Sequence, residues 1–305
     1  ERVKMALRIT TTAFDDEIRQ FIDDCLSELR MLGIFRDGMS GDNQIISAVI
    51  FYCKARFGNN PDADFGPIES CRELVRKAIP TMRLMEGEGG TWSEWGAAGA
   101  NCKTHWTELS QAKYDLRRAL SDLGHGDDTE VFHICDLEYR TSGFHDGLVR
   151  YGLVKTTGQR EGYRVLKVKT AYYAIQNAVS VFNDRLESLA QATTSTIAAA
   201  GRPVVYDWRD RASGFPVVVF WNSAEVPSDS NETAEANVTV CAKPFKKPVW
   251  VDLVTGDAYE IPASCVKADG EKTVYTVPYY DSPVFVTDLR LLDLAKSWYV
   301  ESLGK

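Results

Sequence analysis

Apolar positions along this chain follow three successive rhythms. In residues 12–33, Phe14, Ile18, Phe21, Ile22, Cys25, Leu29 and Leu32 recur three or four positions apart on one stripe. That period predicts an amphipathic helix, with Thr12 and Asp15 as its start and Gly33 as its stop. Asp42 or Asn43 can cap a second helix over 44–57, whose core face is Ile45, Ile46, Val49, Ile50, Cys53 and Phe57. Gly58-Asn-Asn-Pro61 ends it, and the two helices face each other as a small helical unit.

The texture changes near 59–66, and a helix over 67–78 follows. Residues 80–90 then form a short apolar run that ends in glycines and reads as a buried strand, with Glu88 near its end. A helix from Thr107 to Leu123, stopped by Gly124, leads to a second buried strand, Glu130–Cys135. A loop and a long helix over 165–187 come next, with Val168, Tyr172, Ile175, Val179, Phe182 and Leu186 on its apolar face. Strand, helix, strand, helix makes two βα units. From about 202 the rhythm shortens to Pro203–Tyr206, Pro216–Trp221, Asn237–Cys241, Val249–Leu253, Ala258–Ile261, Thr273–Val277 and Val284–Val286. Runs this short, separated by Gly, Pro, Asp and Ser, predict an antiparallel sandwich. The tail returns to helical spacing at Leu292, Ala295, Trp298 and Tyr299. The expected fold class is α+β and multidomain: a helical unit over 1–62, a partial (β/α) barrel-like layer over 63–190, an antiparallel β-sandwich over 200–288 and a C-terminal helix over 289–305.

Composition narrows the function classes. The 305 residues carry a net charge of −8, which argues against a nucleic-acid coat with a basic face. No run of 18 apolar residues offers a membrane span, and no secretory leader is visible at Glu1. The seven cysteines, at 25, 53, 71, 102, 135, 241 and 265, form no C-x-x-C pair, and their scatter through apolar runs reads as buried thiols in a reducing, cytoplasmic compartment. None of the four histidines is paired at i, i+4, so no metal site and no cofactor are expected. His133, among apolar neighbours, reads as a core histidine, and Lys243, Lys246 and Lys247 as a solvated turn.

Two segments resemble known families. Ala6-Leu-Arg-Ile-Thr-Thr-Thr-Ala-Phe-Asp-Asp-Glu-Ile18 and Ile45-Ile-Ser-Ala-Val-Ile-Phe-Tyr-Cys-Lys-Ala-Arg-Phe-Gly58 resemble the small head–tail connector, or DNA-packaging, proteins of tailed phages. For residues 1–62 this implies a helical protein that forms rings in a virion. Residues 67–288 resemble the C-terminal part of a β-xylosidase and β-galactosidase-like barrel glycoside hydrolase. The resemblance is carried by Met85-Glu-Gly-Glu-Gly-Gly90, Trp106-Thr-Glu-Leu-Ser-Gln-Ala-Lys-Tyr-Asp-Leu-Arg-Arg118, Ala171-Tyr-Tyr-Ala-Ile-Gln-Asn177 and Ala236-Asn-Val-Thr-Val-Cys-Ala-Lys-Pro-Phe245. It implies two last βα units followed by a sandwich, Glu88 as the nucleophile of a retaining enzyme, and Asp136 and Tyr139 as substrate-lining residues.

A retaining glycosidase needs two carboxylates flanking the glycosidic bond, one to attack and one to serve as acid and base. A carboxylate at the carboxyl end of a strand is where barrels present catalytic groups; the plainer reading of Glu88 is a solvated strand end. The barrel segment that carries the family's acid is missing, and Glu86, Glu94, Asp136 and Glu138 are the local substitutes. Trp92 and Trp95 stand in the following loop, as stacking platforms for a sugar or as packing for the loop itself, while Trp208, Trp221 and Trp250 lie in strand-like runs and read as sandwich core. The main expectation is thus an incomplete retaining β-glycosidase with a carbohydrate ligand, and the alternative is a ring-forming virion protein. A chimera joined near 59–66 would reconcile the two segments. With so few βα units the barrel cannot close, and uncovered strand edges predict a homo-oligomer or poor solubility. No membrane or direct nucleic-acid partner is expected.

Overall fold

The computed structural model describes residues 2–7, 10–31, 35, 43–56, 85–94, 105–139, 147–189, 194–292 and 300–302. The chain divides into two compact units, Glu1–Leu84 and Met85–Lys305. The expected helix over 67–78 and the join near 59–66 lie outside the described residues.

The first unit is helical. α1 (Arg2–Ala6), α2 (Asp15–Met31) and α3 (Asn43–Arg56) bury one apolar cluster, Val3, Ile18, Cys25, Leu29, Phe35, Ile45, Ala48, Val49 and Cys53. The stripe of α2 faces inward as its period requires, except that Phe14, just ahead of the first turn, is 43% exposed. Phe35 returns to close the cluster, its N–H donating to the Leu29 carbonyl at 3.0 Å and the Arg30 guanidinium lying over its ring.

The second unit begins with a parallel βαβ arrangement. β1 (Met85–Gly89) pairs in parallel with β2 (Asp128–Val131) across α4 (Glu108–Gly124). α4 starts at a capping box: the Thr107 hydroxyl accepts from the Ser110 N–H at 3.1 Å, and the Ser110 hydroxyl accepts from the Thr107 N–H at 2.8 Å. Among the described residues no barrel closes; the strands that follow form short antiparallel pairs. β3 (Leu137–Tyr139) pairs with β4 (Gly147–Val149), and β5 (Val154–Thr156) pairs with β6 (Val165–Val168). The long helix expected over 165–187 is therefore corrected. Val165–Val168 is a strand, α5 covers only Thr170–Val181, and β7 (Leu186–Ser188) is a strand again. Three of the four residues in Val-Leu-Lys-Val are apolar and two are β-branched, so the run suits a pleated edge as well as a helical stripe, and pairing with β5 decides it.

The remaining strands build the sandwich. They are β8 (Thr196–Ala198), β9 (Pro203–Asp210), β10 (Pro216–Asn222), β11 (Ala234–Val240), β12 (Pro248–Asp252), β13 (Ala258–Glu260), β14 (Val266–Asp269), β15 (Lys272–Tyr279), β16 (Val284–Asp288) and β17 (Val300–Ser302). A seven-stranded sheet in the order β17-β13-β12-β16-β10-β9-β7 faces a four-stranded sheet in the order β14-β15-β11-β8. All seven expected strands are present. Of the expected C-terminal helix, Leu289–Leu291 make one 3-10 turn and Val300–Ser302 pair in parallel with β13, while 293–299 lie outside the described residues.

Two apolar layers meet in the larger sheet. Val218, Phe220, Trp250, Val284 and Val286 point toward Ala236, Val238, Val240, Tyr275 and Val277 of the smaller sheet. Val217, Val219, Trp221, Val249, Val251 and Phe285 point the other way, onto Ala112, Leu116 and Leu120 of α4 and Ala171, Ala174 and Ala178 of α5. A strand buried on both faces needs no polar alternation, which is why β10 reads Pro-Val-Val-Val-Phe-Trp-Asn. β11, with one face in water, alternates. Trp208, Trp221 and Trp250 are core residues, as expected, at 3%, 3% and 6% exposure.

Candidate functional site

Of the site residues expected from the sequence, Trp92 follows β1 and Asp136 lies between β2 and β3. Glu88 lies in β1, as expected, but its side chain and that of Glu86 fall outside the described residues, as do Trp95 and the side chain of Tyr139 in β3. Gly90 makes room for the neighbouring chain: a Cβ there would stand 2.1 Å from the Phe132 carbonyl oxygen, and the Phe132 N–H donates to the Gly89 carbonyl at 2.7 Å.

Trp92 is 5% exposed and stands edge-on to Tyr151, in a small cluster with Trp106 and Val149. Of the two readings of this residue, its surroundings match packing of the loop.

Asp136 is fully buried, and its carboxylate is saturated. Oδ1 accepts from Lys169 Nζ at 2.7 Å and from the Gly152 N–H at 3.1 Å, while Oδ2 accepts from Arg150 Nη1 at 2.8 Å and from the Thr156 N–H at 3.4 Å. Gly152 is required here, because a Cβ would meet the Asp136 nitrogen at 2.3 Å. Lys169 is equally buried and spends its other protons on the Ser93 hydroxyl at 2.8 Å and the Arg150 carbonyl at 3.2 Å. Burial pulls its ammonium below the ordinary lysine range, against the hydrogen bond and charge of Asp136. Arg150 continues outward to Glu94 at 3.0 Å, where Lys155 adds a second contact at 2.9 Å. Partial burial raises the Glu94 carboxyl, but Lys155 and Arg150 outweigh it and leave it below its usual range. The result is a chain of alternating charge, Lys155–Glu94–Arg150–Asp136–Lys169, running from half-exposed to fully buried.

Behind that chain stands Asp115 on α4, 2% exposed. Both its oxygens, together with Gln111 Oε1 one turn earlier and Thr91 Oγ1, have no hydrogen-bond partner among the described residues. Burial pushes its carboxyl well above the usual range, although the charge of Lys169 opposes this. The Gln111 amide nitrogen donates to the Thr91, Tyr151 and Gly152 carbonyls, stitching α4 to the strand ends. The opposite side of α4 grips the sandwich. Lys113 donates to the Ser228 and Ser230 carbonyls and to Asp281, and Arg117 to the Asn222, Glu225 and Asp281 carbonyls.

The chemistry of this arrangement is cohesive. Asp136 and Glu94 are ion-paired carboxylates, while Asp115 is sealed from solvent. Glu138 accepts from the Gln159 N–H at 2.7 Å and steadies a hairpin turn. His133 is half-buried, edge-on to Phe132, and burial lowers its imidazole below the usual range. Among the described residues no group of His, Cys, Asp and Glu could hold a metal. Lys169, Arg150, Gln111 and Asp115 were not singled out by sequence reasoning, because each stands among other polar and charged residues and its spacing carries no signal. Of the described cysteines, Cys25 and Cys53 are buried, but Cys241 is exposed and corrects the reading of buried thiols, because β11 ends at Val240 and leaves it in a turn. Lys243, Lys246 and Lys247 are exposed in that turn.

Residues 1–86 match the family model described as a phage connector protein. The matched stretch includes the three described helices of the first unit. The resemblance of residues 67–288 to a glycoside hydrolase has no counterpart among the matches. No curated protein matches the chain. No described helix is long and apolar enough to cross a membrane.

Proposed function

We propose that this chain is a connector-type structural protein whose first unit assembles copies of the chain into a ring in a virion, with the sandwich unit carried on that ring. The observation behind this reading is the match of residues 1–86, over a unit with an apolar core of its own. Native mass spectrometry and negative-stain microscopy of the purified chain test it. Particles with a defined subunit number are expected, and a monomer at every concentration and salt would sink it.

One observation favours a second reading, a retaining β-glycosidase remnant acting on a β-glycoside. A parallel β1–α4–β2 unit with Glu88 in its first strand is followed by an antiparallel sandwich. In this reading Glu88 is the nucleophile, Asp136 and Tyr139 line the sugar, and Trp92 and Trp95 border it. The described carboxylates argue against turnover, because Asp136 is committed to Lys169 and Arg150. Hydrolysis of aryl β-glycosides by the chain and by Glu88→Gln decides this reading. Turnover lost in the variant would support it, and no turnover in either folded protein would leave the connector role alone.

A further inference from the structure

Lys169 and Asp136 differ from the other lysine–carboxylate pairs among the described residues. Both side chains are 0% exposed, whereas water reaches the carboxylates paired with Lys4, Lys113, Lys155 and Lys167. Asp136 lies between β2 and β3, and Lys169 precedes α5 at its N-cap position. Folding brings the two together, with Nζ at 2.7 Å from Oδ1. Nζ also donates to the Ser93 hydroxyl and the Arg150 carbonyl, which fixes the amine against the carboxyl. Asp115, the other buried carboxyl nearby, has no hydrogen-bond partner among the described residues, so Asp136 is the carboxyl that Lys169 touches.

An ammonium and a carboxylate held in contact away from water are also an amine and an acid placed to condense. Burial disfavours both charged forms. A proton passing from Nζ to Oδ1 along their hydrogen bond leaves a neutral amine, its lone pair toward Asp136, beside a neutral acid. Arg150 Nη1 and the Thr156 N–H already point at Oδ2, where the charge of a tetrahedral adduct gathers, and the Gly152 N–H holds Oδ1. We propose that Lys169 and Asp136 join in an intramolecular isopeptide bond. The Nζ–Cγ bond forms and the Cγ–Oδ1 bond breaks. Of the three protons on the lysine ammonium, one stays on the amide nitrogen and two leave with Oδ1 as water. One positive and one negative charge disappear together, so the step needs no oxidant, cofactor or outside acid. Exclusion of water from the pair also protects the new amide from hydrolysis. The bond ties the link between β2 and β3 to the start of α5 and closes a loop that holds β3, β4, β5 and β6. It is independent of ring formation.

Intact-mass spectrometry and peptide mapping of the purified full chain test it. The chain is expected to weigh one water less than its sequence, and proteolysis to release a branched peptide joining the segments that contain Asp136 and Lys169. Lys169→Arg keeps the cation but offers no free amine to attack with. That variant is expected to show the full sequence mass and to run more slowly than the wild type on a denaturing gel, because its chain has no closed loop. Circular dichroism shows whether the variant is folded; if it is not, the wild-type peptide map decides alone. A folded wild type that keeps the full sequence mass after prolonged incubation would overturn the proposal. A water loss that persists in Lys169→Arg, or that maps to an aspartate followed by glycine, would mark a succinimide and overturn it equally.

Discussion

Asp115 shows how one side chain can work against the fold that contains it. Its carboxyl is held above the usual range by burial, so the folded protein binds a proton that the unfolded chain, near an ordinary value of about 3.9, releases. The stability this proton provides is complete below the unfolded value and is lost as pH rises toward the folded one. Asp115→Asn is therefore expected to match the wild type near pH 4 and to exceed it increasingly toward neutrality. Urea unfolding at a series of pH values checks this, and parallel curves for the two proteins would refute the protonated state. Lys169 presents the opposite case. Truncating it to Met leaves Asp136 buried with one cation fewer, and removing one member of a buried pair costs roughly 3–5 kcal/mol. A large fall in the denaturation midpoint of Lys169→Met is expected, and a change below about 1 kcal/mol would mean that Arg150 alone holds Asp136.

At the scale of elements, α4 joins three surfaces. Leu116 and Leu120 pack on the sheet, Gln111 ties the ends of the βα strands, and Lys113 and Arg117 hold the loops of the sandwich. Leu116 is completely buried, and Leu116→Ala is expected to cost about 2–5 kcal/mol, readable in thermal or urea unfolding. β6 is the weak element. All four of its residues are exposed, with Val165 at 67% and Leu166 at 56%, and it pairs with β5 on one side. A long apolar edge is a template for self-association. Leu166→Lys is expected to reduce light scattering of concentrated protein while leaving the unfolding midpoint within about 0.5 kcal/mol of wild type. Unchanged scattering would place the association elsewhere.

At the scale of the whole molecule, the helical cluster among the described residues draws on residues up to Cys53, and the clusters of the second unit on residues from Trp92 onward. Residues 85–305 expressed alone are accordingly expected to unfold cooperatively at the same midpoint as the sheet signal of the full chain. A fragment without a cooperative transition would show that the second unit needs the first. The connector match lies across the first unit and ends in β1, so assembly and the sandwich can be tested independently.

Local pattern alone determined the helices α2, α3 and α4 and the seven main strands of the sandwich. In each of these the apolar period, a cap or a turn residue, and burial agree, as in the Thr107 start of α4 and the inward face of α2. It also led to Glu88 on a strand and to tryptophans in the sandwich core. Only the tertiary structure decided the rest. Val165–Val168 became a strand because β5 lay beside it, and Val300–Ser302 because β13 did; a short apolar run does not say which partner it will meet. The polar interior around Asp136 was equally hidden, since residues at 93, 111, 115, 136, 150 and 169 acquire meaning only when folding removes them from water and leaves each charge to be neutralised by a neighbour distant in sequence.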